Sequence, residues 1–254
     1  MKQHTSIFML LSRSSIYRVL LRFAGLILAE SGLFYWAMQR KWNLICEGNI
    51  GLEGLLSDSQ LFLVFVFCFA QITGILSNVG FESESQVGYT LQRLSVSEKT
   101  IVLWHWCYNC LCFLMLWWVQ ILTALGLCLW YVKAAPAEMV TGQTIMLACY
   151  RNAFLRHLFP LADIFGWIRN AALIITFGLL TAKAPYFNRR GKKYPPLAWT
   201  TMLVWFGFSL DTTNNMTVAL MSAAECLLIC LVAVCTLMKG DEFEDEEEVL
   251  ESEA

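Results

Sequence analysis

Charge is scarce in this chain of 254 residues: Asp, Glu, Lys and Arg make up 15 % of it, against 57 % apolar residues. That balance excludes an ordinary soluble domain, which carries nearer a quarter charged residues, and places the chain in the membrane class. Histidine occurs only three times, at His4, His105 and His157. Neither a His-Glu-x-x-His nor a Gly-x-Ser-x-Gly string is present, so the spacings that serve zinc-dependent and serine hydrolysis are missing. The phosphate loop Gly-x-x-x-x-Gly-Lys-Ser/Thr is missing too. Its nearest approach, Arg190-Gly-Lys-Lys-Tyr, lacks both the upstream glycine and the hydroxyl that would hold magnesium. No enzymatic activity and no cofactor are therefore expected of this chain, and it has no site for hydrolysing ATP by itself.

Ten cysteines would mark a disulfide scaffold in a small secreted protein, but here Cys68, Cys107, Cys110, Cys112, Cys128, Cys226 and Cys230 sit inside apolar runs, with Cys235 near the end of another. In such runs cysteine acts as a small packing residue. Cys107-x-x-Cys110-x-Cys112 has no second ligand pair after it, so no metal site is expected. Cys46 and Cys149 fall between the runs and would be free to pair on an oxidising face. The net charge of −2 hides an asymmetry: nine of the twenty acids lie in residues 241–254, leaving eighteen basic against eleven acidic groups before them. Residues 239–254 read as an acidic, disordered tail. The apolar stretch Ile7 to Leu11 is too short for a cleavable signal peptide and is closed by Arg13.

The chain is organised around the polar interruption 81–99, FESESQVGYTLQRLSVSEK, which separates the apolar run Leu61 to Val79 from the longer run Ile101 to Val132. About 20 helical residues cross a hydrocarbon core ~30 Å thick, so both runs are long enough to span and the piece between them lies outside lipid. Val87, Leu91 and Leu94 recur at i, i+4 and i+7, the spacing of a short amphipathic helix. Ser95 precedes Glu98 by three residues, as in a capping box, and predicts a helix start there.

Around this stretch the sequence predicts an all-α, polytopic membrane protein with a six-helix transmembrane bundle. Residues 1–19 read as an interfacial amphipathic helix, with Val19, Leu20 and Phe23 on one face and Arg18 and Arg22 opposite. The transmembrane domain, 20–238, places its spans at about 20–38, 60–79, 101–132, 158–181, 197–210 and 216–238. Residues 39–59 read as an irregular loop, 137–150 as a semi-apolar segment along the far surface, and Lys183 to Lys193 as a basic loop. Twelve Lys and Arg fall on the side of the amino terminus and the interruption, and five on the other, which places both termini in the cytoplasm of a plasma-membrane protein. Five charged residues fall at membrane depth: Glu30, Asp163, Arg169, Asp211 and Glu225. A charge there costs at least ~2.5 kcal/mol, so each needs a partner or water. Pairing of Arg169 with Glu30 or Glu225 is one expectation; interfacial placement of Asp163 and Asp211, with the glutamates in packing contacts, is the other.

The stretch Gly88-Tyr-Thr-Leu-Gln-Arg-Leu-Ser-Val-Ser-Glu-Lys-Thr-Ile-Val-Leu103 resembles the connection between the second and third spans in permease subunits of type 2 ABC transporters. The order of features, a basic amphipathic helix, six spans, and a cytoplasmic helix after span two, is similar to that family as well. Ser95 stands where the family's motif usually has proline. The resemblance implies a cytoplasmic coupling helix seated in a separate nucleotide-binding ATPase subunit, with Tyr89, Leu91, Arg93, Leu94, Ser97 and Glu98 at the contact. It also implies a second permease subunit, homo- or heterodimeric, with lipid as the remaining partner and no nucleic acid. The competing reading is a non-transporting scaffold, regulator or immunity-type membrane protein, in which the cytoplasmic helix would be inert. A membrane enzyme, its catalytic pair drawn from Glu30, Asp163, Asp211, Glu225 or the histidines, stands behind both.

Overall fold

A computed structural model describes residues 2–48, 50–78, 98–136, 140–161, 163–189, 200–204, 223–232 and 234–235. Among them the regular structure is entirely helical. Four helices are long and apolar enough to cross a membrane: α1 (Lys2–Arg40), α4 (Leu61–Asn78), α5 (Glu98–Ala134) and α8 (Ile164–Arg189). Between them lie the short helices α2 (Trp42–Cys46), α3 (Leu52–Asp58), α6 (Thr144–Arg151) and α7 (Ala153–Leu158). An apolar helix α9 (Ala223–Val232) follows.

Side-chain contacts fix the directions of the long helices. Phe8 meets Tyr108 edge-on at 5.8 Å, Glu30 meets Gln120, and Tyr35 stacks on Trp130 at 5.8 Å. Thus α1 and α5 run parallel and in step along most of their length. Against α5, α8 runs the opposite way, since Trp117 lies against Trp167 at 5.4 Å, Phe113 against Phe177 at 5.9 Å, and Asn109 against Thr181. Phe69 of α4 closes the centre, stacked on Phe113 at 5.1 Å and edge-on to Phe177 at 4.9 Å. Near its start, Phe65 reaches Phe154 of α7 at 5.7 Å. Alternating directions therefore bring the start of α1, the end of α4, the start of α5 and the end of α8 to one end. Helices α2, α3, α6 and α7 cap the other.

The bundle buries a set of polar groups within its apolar core and is apolar outside. Glu30, Asn109, Gln120, Arg169, Asn170 and Thr181 are all buried, whereas Leu28, Phe67 and Leu122 are 73, 66 and 64 % exposed. A soluble protein does not leave an apolar surface of that extent in water, and hydrocarbon is the solvent that suits it.

Several boundaries differ from those read in the sequence. The helix α1 passes through residues 19 and 20 without a break, because the stripe Val19, Phe23 and Leu26 stays buried across that point. Residues 39–59, read as irregular, hold α2 and α3: Leu52, Leu55 and Leu56 share one buried face, and Asp58 pairs with Lys41. The fourth long helix starts after Pro160, later than expected, and Lys183 to Arg189 prolong it rather than begin a loop. Lys183 is buried and lies over the Phe187 ring at 5.3 Å, so its stem packs while its charge meets an aromatic face. Pro185 sits within this last stretch, where its ring removes one backbone donor.

Candidate functional site

The interior polar groups are held by helices whose outward faces are Leu, Ile, Phe and Trp. Toward the end where α1 starts, Ser15 and Tyr108 share a hydroxyl hydrogen bond of 2.7 Å between α1 and α5. One residue on, Asn109 Nδ2 donates to Thr181 Oγ1 at 2.9 Å and ties α5 to α8. Deeper in, Gln120 Nε2 donates to Glu30 Oε1 at 2.6 Å and ties α5 to α1. Beside the cap, the Arg169 guanidinium donates to the His157 carbonyl at 3.1 Å and to Asn170 Oδ1 at 3.2 Å, and its Nη1 lies 3.1 Å from His157 Nδ1. Asn170 Nδ2 donates to the same carbonyl at 2.9 Å. Each long helix of the α1, α5, α8 set is thus joined to the next by a buried side-chain hydrogen bond, the kind of glue that serves where hydrophobic burial between helices has little driving force.

The expected partnership of Arg169 with Glu30 or Glu225 is not formed. Glu30 is taken by Gln120, Arg169 by His157 and Asn170, and Glu225 is exposed on α9. An amide can satisfy a carboxyl without a second buried charge, and a carbonyl can accept from a guanidinium in the same way. Asp163 is exposed, and its Oδ1 accepts from Phe165 N at 3.0 Å, capping the start of α8. Tyr89, Leu91, Arg93, Leu94, Ser97 and Asp211 lie outside the described residues, and Glu98 opens α5. The partners Gln120, Asn109 and Asn170 were passed over in the sequence. Gln120 lies between Val119 and Ile121 deep in the longest apolar run, which was signal enough to pair it with another buried polar group.

Cys107, Cys110 and Cys112 diverge around α5. Cys107 is exposed, Cys110 donates weakly to the Ile174 carbonyl at 3.8 Å, and Cys112 is buried. Cys46 and Cys149 are both free thiols, the first exposed and the second buried. Burial pushes the Cys149 thiol above its ordinary value. A raised value means less thiolate at any pH below it, so Cys149 is expected to react with maleimide more slowly than Cys46 at neutral pH, with the gap narrowing as pH rises. Mass spectrometry of the labelled chain over a pH series measures this.

A concavity lies in the cap. It is an open hollow of about 240 Å³ lined by Gly48, Gly51, Tyr131, Thr144, Leu147 and their neighbours, with the ion pair Arg151–Glu53 (3.0 Å) at its edge. That pair is more than a third exposed on both sides and holds α3 to α6 only weakly.

These features define the class: an α-helical protein of the membrane, with a hydrogen-bonded interior and four helices of spanning length. No family model, no curated protein and no solved structure matches the chain.

Proposed function

We propose that this chain is the permease subunit of a type 2 ABC transporter, an exporter of six spans driven by a separate ATPase subunit. It acts in the plasma membrane beside a second permease subunit, with both termini in the cytoplasm. The observation that supports this reading is that α4 ends, and α5 begins, at the end of the bundle where α1 begins and α8 finishes, and that α5 then runs unbroken for 37 residues to the opposite cap. A motor that pushed on residues 81–99 would move α5 as one rod, and through Gln120 and Asn109 it would carry α1 and α8 with it. The basic residues gathered at that end favour the cytoplasmic side for it. Of the fifth span of the proposal only 200–204 are described, and of the sixth 223–232 and 234–235, which hold α9.

Affinity purification of the tagged chain from its own cells is the test. A phosphate-loop ATPase is expected to co-purify, and Arg93→Glu is expected to abolish its retention while the permease itself still reaches the membrane. Purification of the wild-type chain with no phosphate-loop ATPase would favour the scaffold reading. Labelling of intact cells with a membrane-impermeant maleimide provides the topological half, since the exposed Cys46 lies in the cap and should be modified from outside. Protection of Cys46 in intact cells together with accessibility of residues near Arg93 would end the proposal.

A further inference from the structure

Glu30 and Gln120 both have 0 % exposure, and a single hydrogen bond, Gln120 Nε2 to Glu30 Oε1 at 2.6 Å, is formed between them. The remaining oxygen of each group, Glu30 Oε2 and Gln120 Oε1, has no donor. These two orphans belong to the same pair. A carboxylate offers acceptors only, and an amide oxygen is an acceptor as well, so an ionised Glu30 leaves both lone pairs buried and unmet. A carboxylic acid adds one O–H, the one donor that both oxygens lack.

We infer that Glu30 and Gln120 form a proton-binding site within the bundle. The proton sits on Glu30 Oε2 and is donated to Gln120 Oε1 while Gln120 Nε2 donates to Glu30 Oε1, closing a ring of two hydrogen bonds between α1 and α5. Among the described residues, the surroundings offer no substitute for that proton. From α4 the titratable group is the Cys68 thiol, which donates to the Arg22 carbonyl at 3.6 Å. On α1 itself the Arg22 side chain is exposed, two turns before Glu30. On α5 the nearest ionisable groups are Cys112 and Cys128, each about two turns from Gln120. The carboxylates of α3 are engaged outward, Asp58 by Lys41 and Glu53 by Arg151. Proton release sets two acceptors against each other and loosens α1 from α5; proton uptake clasps them. The site stands whether or not the chain is a permease, because it rests on the two helices alone.

Infrared difference spectroscopy of the purified full-length chain in lipid nanodiscs tests it, comparing wild type with Glu30→Gln at neutral pH in H2O and D2O. The expected result is loss of one protonated-carboxyl C=O band in the variant, a band that moves on deuteration in wild type. Loss of carboxylate bands instead, with no change in the protonated-carboxyl region, overturns the proposal. Gln120→Leu is the second variant and keeps the test decisive if Glu30→Gln does not fold. With its amide partner removed, the Glu30 band is expected to shift to higher frequency, and an unmoved band overturns the pairing. Failure of either spectrum leaves the ATPase purification untouched, so the two readings fall separately.

Discussion

Replacing Gly178 with leucine is expected to lower the stability of the bundle by about 3 kcal/mol, measured as a shift in the SDS-induced unfolding of the purified chain. The reason is how closely α8 approaches α5. A Cβ built on Gly178 collides with Cys110 Sγ and comes within 3.1 Å of the Cys110 backbone nitrogen and 3.2 Å of Trp106 Cδ1. The thiol can turn away, but the backbone of a long helix cannot, and Trp106 is pinned because its Nε1 donates to the Ile175 carbonyl at 3.1 Å. Any side chain at 178 therefore pushes the two helices apart and weakens the Asn109–Thr181 hydrogen bond one turn away. Gly126, on α5 itself, has open space where a Cβ would go. Gly126→Ala should change stability by no more than ~1 kcal/mol, in the favourable direction that helix propensity gives. Equal effects at the two glycines would refute the close approach.

The second large effect is expected at Asn170. Asn170→Leu removes the Oδ1 that accepts from Arg169 and leaves a buried guanidinium with fewer acceptors, at a cost of about 3 kcal/mol. Arg169→Met removes the charge itself, and the His157 carbonyl keeps its hydrogen bond from Asn170 at 2.9 Å. Combined, the two substitutions should cost less than the sum of each alone, since the double variant holds neither a stranded cation nor a stranded amide. A double-mutant cycle read by the same unfolding assay gives the coupling. Strict additivity would mean that the cluster is not a unit.

How much of this was legible in the sequence varies with the physics of each element. The apolar runs that became α4, α5 and α8 were plain, because a long uncharged stretch has few alternatives. Also visible was that Glu30 lay deep in a span. Its partner was not, for two reasons. Linear spacing does not say which helices adjoin, and the expectation of an opposite charge hid the neutral amide of Gln120, which meets the same need at lower desolvation cost. Asp163 illustrates the opposite error, since a charge counted inside a span proves to cap its first turn. Helix α3 was readable from Leu52, Leu55 and Leu56 but was overlooked because the glycines around it suggested a loop. The charge of Lys183 and the residues after it suggests a loop, whereas burial of Ala182, Ala184 and Tyr186 keeps the helix going past Pro185.

The lengths of α1 and α5 carry a mechanical consequence. At 1.5 Å per residue, 39 and 37 residues make rods of about 58 and 55 Å, nearly twice the ~30 Å of hydrocarbon. The surplus is shared, for Phe8 and Trp104 still touch edge-on, 6.2 Å apart, near their common beginning. Rods of that length magnify any rocking: a tilt of about 10° sweeps a point ~30 Å along the helix through roughly 5 Å, close to one helical turn. A slight sway at one end thus becomes a full step at the other.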